Sequence, residues 1–286
     1  MKARLRRLLE SYIASTRPHA GRGILCRLAW HLGSRELIVN LPAGIKLSAG
    51  LGDPRETVCV DNFEAHGELE VFLSFLEPGM TVLDVGANIG LYTLHAAKAV
   101  GAGGRVYSFE PVPQIAQRLR ANLRLNNVSN VSVAEMAVSD ADAFADFFYG
   151  KSGLLGSLFP LHGRTAGGTV RVATTRLDSF AHEHGIAAID AAKIDVEGGE
   201  MHVLRGMGRL LDGELQPILF VEIGARTLSA AGQSPDATVT MLLNRGYQGF
   251  VIREGHLHRV ASAVSPTYPR EGHANYIFLP PRRHRG

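Results

Sequence analysis

Cysteine is nearly absent: Cys26 and Cys59 are the two in 286 residues. That excludes a disulfide-stapled fold and makes a reducing cytoplasm the expected location. No apolar run approaches the ~20 residues of a membrane span. Met1 to Glu10 is basic and amphipathic and lacks the continuous apolar stretch of a signal peptide. A strong excess of one charge is missing too. The formal net charge is +3, and its basic residues gather partly at the ends. Lys2, Arg4, Arg6 and Arg7 stand at one end and Arg282, Arg283 and Arg285 at the other, where solvated tails and anionic partners both suit them. Internal repeats and low-complexity tracts are also absent. What remains is a chain with 45% hydrophobic residues, enough for one sizeable α/β domain with additions or for two small ones.

The sharpest local signal is Thr81-Val-Leu-Asp-Val-Gly-Ala-Asn-Ile-Gly90. A buried strand over 81–85 runs into a Gly-rich turn, and apolar residues at helical spacing follow from Ile89 to Val100. Such a unit brings backbone N–H groups and a helix N-terminus close to a ligand. A dinucleotide fingerprint needs glycine at 86, 88 and 91, but the chain has Gly86, Asn88 and Leu91. An acid, Asp84, also stands inside the strand end. It disfavours a pyrophosphate and suits a cation, which points to S-adenosylmethionine, with its ammonium and sulfonium, rather than to NAD. The next strand, Arg105 to Phe109, ends in Glu110, about 20 residues beyond the turn, where βαβ nucleotide sites place a ribose ligand. A plain capping acid for the helix after Pro113 is the alternative.

The pattern predicts helices within 1–35, short strands over 36–40, 45–48 and 56–60, and a helix over 68–76. Strand–helix alternation then follows: strand 81–85, helix 89–100, strand 105–109, helix 113–125 and strand 131–136. After an interruption over 141–172, it resumes with helix 177–184, strand 192–196, helix 200–211 and strand 217–223. Two or three closing strands fall within 244–280. The interruption is too apolar for a disordered linker and reads as a strand, a substrate-facing loop and a returning strand from Thr169 to Thr174. The expected fold is α/β, a mostly parallel sheet with helices on both faces, with a helical and β extension over 1–65 and the main domain over 66–286.

Four parallel-strand ends carry acids: Asp84, Glu110, Asp195 with Glu197, and Glu222. Open α/β sheets bind ligands beyond those ends, and clustered carboxylates repel one another unless cations or hydroxyls compensate. In Lys193-Ile-Asp-Val-Glu-Gly-Gly-Glu200, Lys193 and Asp195 share a strand face and can pair. Glu200 suits either the first turn of a helix or a function.

Together with Val82-Leu-Asp-Val-Gly-Ala-Asn-Ile-Gly90, several segments resemble the FkbM-type family of S-adenosylmethionine-dependent methyltransferases. They are Ser108-Phe-Glu-Pro111, Asn122 with Asn126, Ala137-Val-Ser-Asp140, Thr175-Arg-Leu-Asp178, Lys193 to Glu200, Phe220-Val-Glu222 and Asn275 to Pro280. The resemblance covers roughly 65–280. It implies a Rossmann-like class I methyltransferase fold and O-methylation of a hydroxyl on a sugar, glycan or glycosylated natural product. It also implies cofactor contacts at Asp84, Gly86, Asn88, Gly90, Glu110, Ala137 and Val138, with Asp195 and Glu197 facing the transferred methyl.

A hydroxyl nucleophile gains from a general base. Asp195 is the first candidate, followed by Glu197 and then His202. In the alternative, Asp195 and Glu222 hold a divalent cation, although no metal site is assigned. His182-Glu-His184 and His256-Leu-His258 lack a convincing ligand set. Nucleic acid is not an expected partner, because Asp195-Val-Glu-Gly lacks the proline and aromatic of a base-flipping loop and acids repel phosphates. A nicotinamide oxidoreductase and an inert adenosylmethionine-binding protein are the rival readings. Leu5, Leu8, Leu9, Tyr12 and Ile13 fall at helical spacing among arginines, which suits packing on the domain or peripheral membrane contact. Oligomeric state has no sequence signature here.

Overall fold

The computed structural model describes residues 2–15, 22–50, 67–150, 156–160, 166–260 and 273–281. Its strands are β1 (Glu36–Leu41), β2 (Ile45–Gly50), β3 (Thr81–Val85), β4 (Arg105–Phe109), β5 (Val131–Ala134), β6 (Ala137–Val138), β7 (Ala143–Gly150), β8 (Gly156–Ser157), β9 (Ala166–Thr175), β10 (Ala191–Ile194), β11 (Ile218–Gly224), β12 (Gln248–Arg253), β13 (His256–Val260) and β14 (His273–Leu279). The helices are α1 (Lys2–Ser15), α2 (Arg22–His31), α3 (Glu68–Ser74), α4 (Leu91–Val100), α5 (Pro113–Leu125), α6 (Leu177–Glu183), α7 (Glu200–Gly206), α8 (Gly208–Asp212), α9 (Ala225–Ala230) and α10 (Pro235–Leu243).

β3 and β10 are almost wholly buried, as strands covered on both faces must be. They lie at the middle of an eight-stranded sheet ordered β13-β12-β14-β11-β10-β3-β4-β5. From β5 to β11 all neighbours are parallel. β14 inserts antiparallel between β11 and β12. The chain leaves β3 to build β4 and β5 on one side, then crosses to β10 on the other. Strand order therefore reverses between β3 and β10, which puts the ligand crevice beyond their carboxyl ends.

Several boundaries differ from the sequence pattern for local reasons. α4 begins at Leu91 rather than Ile89, because Asn88 and Gly90 have φ of 54° and 97°, outside helical space. The helix expected over 200–211 breaks at Met207 into α7 and α8. α9 and α10 were not apparent in the pattern. The 141–172 interruption forms its own four-stranded sheet, β6-β9-β7-β8, instead of extending the main one. The strand expected over 56–60 and the boundary expected at 65/66 lie outside the described residues.

The β1–β2 hairpin alternates exposed and buried side chains along β1. Its inner residues Leu37, Val39 and Leu47 share a core with Ile13 of α1, Leu94 of α4 and Leu119 of α5. Side chains of α5 fasten β2 by its backbone. Asn122 Oδ1 accepts from Ser48 N at 2.8 Å, and Asn126 Oδ1 accepts from Lys46 N at 2.8 Å. Both asparagines thus dock the extension onto the sheet's helical layer.

Candidate active site

The loop after β3 spends its backbone donors internally. Gly86 and Ala87 donate to Phe109 O, Asn88 to Glu110 Oε2, Ile89 to Asn88 Oδ1, and Gly90 to Ala87 O. No N–H from 86 to 90 is left to cradle a phosphate, contrary to the general expectation for such a turn. Gly86 has a tertiary cause: φ is 86° and a Cβ there would lie 1.9 Å from Asp195 O. Only glycine lets the ends of β3 and β10 come this close. Gly90 likewise makes room for Leu119.

Glu110 is buried and held by two amides, Val112 N to Oε1 at 2.9 Å and Asn88 N to Oε2 at 3.1 Å. Burial raises its carboxyl to about 7, although both amides favour the charged form. A carboxylate has about four acceptor sites, so two amides leave capacity for hydroxyl donors. Asp84 is 1% exposed. Thr93 Oγ1 donates to its Oδ2 at 2.5 Å and stands 3.0 Å from Ser108 Oγ. Its Oδ1 is buried without a hydrogen-bond partner. Burial raises the Asp84 carboxyl above the usual range, with the Lys193 charge and the Thr93 bond opposing.

Beside it lies the second half of the site. Lys193 is 3% exposed and is the register neighbour of Asp84 across β10 and β3. Its Nζ donates to Asp195 Oδ2 at 2.8 Å and sits 4.4 Å from the centre of the Tyr92 ring. Desolvation alone would lower the lysine, but the carboxylates of Asp195, Asp84 and Glu222 outweigh it and raise it. Desolvation would raise Asp195, yet the Lys193 charge and hydrogen bonds from Glu222 and Lys193 hold it below the ordinary range. Glu222 goes the other way: burial and the Asp195 charge push it well up. A proton shared by the Asp195–Glu222 pair is therefore favoured on Glu222.

The other expected residues are placed differently. Glu197 is half-buried with φ of 54°, and its carbonyl accepts from Ser157 Oγ at 2.9 Å. Glu200 is buried and accepts from Gly198 N at 3.0 Å and Val196 N at 3.3 Å, which fastens the turn into α7. Burial raises it to about 7. His202 stands apart, with Nδ1 2.9 Å from Asp140 Oδ2 and its ring near Phe159. Ala137 and Val138 pair through β6 with β9, and their side chains belong to two different apolar cores. Two residues of consequence went unnoticed in the sequence. Tyr92 and Thr93 carry no signal there beyond helical propensity, whereas Ser157 belongs to the Gly/Ser-rich stretch already read as substrate-facing.

Among the described residues no group of three or more His, Cys, Asp or Glu could hold a metal ion. A cation on Asp195 and Glu222 would also compete with the Lys193 ammonium. S-adenosylmethionine fits better: Asp84 offers a buried, unused acceptor and Glu110 an anchored carboxylate, which match cationic and hydroxyl groups. The strand order, the antiparallel β14 and this acid-lined switch point define a class I S-adenosylmethionine-dependent methyltransferase domain.

The Methyltransferase FkbM domain model matches residues 84–248. The chain belongs to that family. The 31-O-demethyl-FK506 methyltransferase FkbM of Streptomyces tacrolimicus is 34% identical over 46% of this chain and 61% of its own length. The 2-O-methyltransferase NoeI of Sinorhizobium fredii is 28% identical over 47% and 60%. The AMB antimetabolite synthetase AmbE of Pseudomonas aeruginosa is 29% identical over 68% of this chain but 11% of its own. The chain thus spans under two thirds of the length of each of these relatives. A solved SAM-dependent methyltransferase from Aquifex aeolicus superposes with a TM-score of 0.44 at 15% identity, over 79% of this chain and 98% of that one. The fold assignment rests on the strand order instead. Among the described residues no helix is long and apolar enough to cross a membrane.

Proposed function

We propose that this chain methylates a hydroxyl oxygen of a sugar, glycan or glycosylated small molecule, in the cytoplasm. The observation that carries the reading is the Lys193–Asp195 pair at the mouth of the β3/β10 crevice, where an ionised acceptor faces outward from a buried cation. The names of the FkbM and NoeI relatives, which both specify oxygen, support that choice of nucleophile.

S-adenosylmethionine would supply an electrophilic methyl group. Asp84 and Glu110 are the residues assigned to hold it, with Gly86, Asn88, Gly90 and the backbone of Ala137 and Val138 shaping the crevice. Asp195 is assigned as the base. It would accept the hydroxyl's hydrogen bond and align the oxygen, and would take the proton as the C–O bond forms and the methyl–sulfur bond of the donor breaks, leaving S-adenosylhomocysteine. A carboxylate of low basicity suffices, because an oxygen gaining a third bond becomes strongly acidic. Lys193 is a positioning residue that favours the ionised form of Asp195, and Glu222, hydrogen-bonded to it, holds its second side. Glu197 is assigned to the acceptor side of the crevice.

Asp195→Asn keeps the shape and removes the base. Its kcat should fall by ~10²–10⁴ while cofactor affinity stays near the wild-type value. The acceptor is tested by transferring labelled methyl from S-adenosylmethionine to cell extracts, followed by hydrolysis and mass spectrometry. Label on a sugar oxygen is expected. Label on protein, nucleic acid or an amine nitrogen would overturn the acceptor class, and cofactor binding without any transfer would assign an inert binder.

A further inference from the structure

We propose that the outward face of α1 and α2 docks on an anionic lipid surface. α1 already satisfies its own domain with one row of side chains. Ile13 is fully buried and Leu9 packs beside it against the β1–β2 hairpin core. Glu10, the acid of this helix, is consumed there too, accepting from Ser34 Oγ at 2.5 Å and lying 3.6 Å from Arg6 Nε.

A second apolar row points outward. Leu5, Leu8 and Tyr12 are 47%, 61% and 49% exposed, and their i, i+3, i+7 spacing puts them on one stripe. Lys2, Arg4 and Arg7 are exposed around it. α2 packs against α1 and repeats the composition: Ile24 and Leu28 are 62% and 42% exposed, with Arg27 and His31 exposed beside them. Single exposed leucines need no explanation. Here five large apolar side chains stand among four lysine and arginine side chains, and no exposed carboxylate occurs on the described residues of either helix.

Charge decides the occupant. A second copy meeting this face about a two-fold axis would set cation against cation. An anionic headgroup layer neutralises the basic groups, while the leucines, isoleucine and tyrosine enter the headgroup boundary, as they do in interfacial helices. The inference does not depend on which acceptor the crevice takes, since the face lies on the extension and not at the strand ends.

The test is co-sedimentation of the full chain with phosphatidylcholine vesicles, with and without about 30% phosphatidylglycerol. Binding is expected only to the anionic vesicles and should weaken as salt rises. Arg4→Gln with Arg7→Gln should weaken it by about 30-fold, at about fivefold per charge. Leu5→Ser with Leu8→Ser should weaken it by about tenfold. The shift in melting temperature with S-adenosylhomocysteine, measured on each variant, checks that the fold and cofactor site are intact. Three results would overturn the proposal: no binding by the folded wild type, binding that neither double variant changes, or a wild-type dimer that Leu5→Ser with Leu8→Ser dissolves.

Discussion

Replacing Lys193 by methionine isolates the charge on which the site is built. Methionine keeps much of the stem that covers Tyr92 and removes the ammonium 2.8 Å from Asp195. Asp84, its register neighbour, loses the same partner. Breaking a buried pair from one side costs about 3–5 kcal/mol, because the remaining carboxylates are left uncompensated. They escape by protonation, so the penalty depends on pH and its sign can be worked out. In the wild type Asp195 is held below its ordinary value, and that stabilisation is present above the unfolded carboxyl pKa and is lost only as pH falls through the lower folded value. In the variant both folded aspartate values rise. The folded variant then binds protons that the unfolded chain does not, and its stability falls as pH rises, by about 1.4 kcal/mol per unit for each proton.

The expected loss is therefore about 4 kcal/mol near pH 8, shrinking to about 1–2 kcal/mol near pH 5. Urea unfolding at both pH values measures it, provided the slopes stay constant. An equal loss at both values would mean that shape, not charge, is what Lys193 contributes. No loss at all would mean that the carboxylates are held by something else, and the assignment of Asp195 as an ionised base would go with it.

Glu110 should make cofactor binding pH-dependent: its carboxyl titrates at about 7 and ribose hydroxyls donate to the ionised form, so affinity for S-adenosylhomocysteine should rise from about pH 6 to about 8. Glu110→Gln should flatten that profile in calorimetry and weaken binding at the upper end by ~1–3 kcal/mol; a pH profile unchanged by the substitution would remove Glu110 from the cofactor site. Ser157→Ala strips Glu197 O and Phe159 N of their shared partner, so kcat for the acceptor should drop by at least about fivefold. Cofactor affinity should be unchanged and Ser157→Thr should restore the rate, whereas wild-type kinetics in Ser157→Ala would show that the β8 hydroxyl does not position the Glu197 turn.

The parallel core was legible because its strands are short apolar runs closed by glycine and its helices carry regular periodicity. Thr81–Val85, Arg105–Phe109 and Pro113–Leu125 fall where the pattern puts them. The losses have a common cause. α9 and α10 are short, and their composition competes poorly with loop readings. The break at Met207 is a backbone event inside a continuous apolar period. Gly86 was legible as a turn residue, yet its reason, a backbone oxygen 109 positions along the chain, depends on strand order and cannot be seen in a local window. The same holds for Asn122 and Asn126, whose partners lie on β2.

The site was legible in kind and misjudged in balance. Acids at four strand ends implied a repulsion that an external cation must relieve, but the fold supplies one of its own. Lys193, in the buried run Ala191–Ile194, faces Asp84, Asp195 and Glu222 together. Burial pushes Glu222 and Asp84 toward their neutral forms, while Lys193 holds Asp195 below the ordinary carboxylate range. What is left at the switch point is an acidic rim, with Asp195 and Glu110 on it, beside a loop whose amides are already spent. A diphosphate would meet repulsion there and find no free donor from 86 to 90, whereas a sulfonium-bearing ligand would meet the opposite charge. The glycine spacing argued for this choice from what is missing at 88 and 91; Lys193 and the loop's hydrogen bonds argue for it from the charge and the donors that remain.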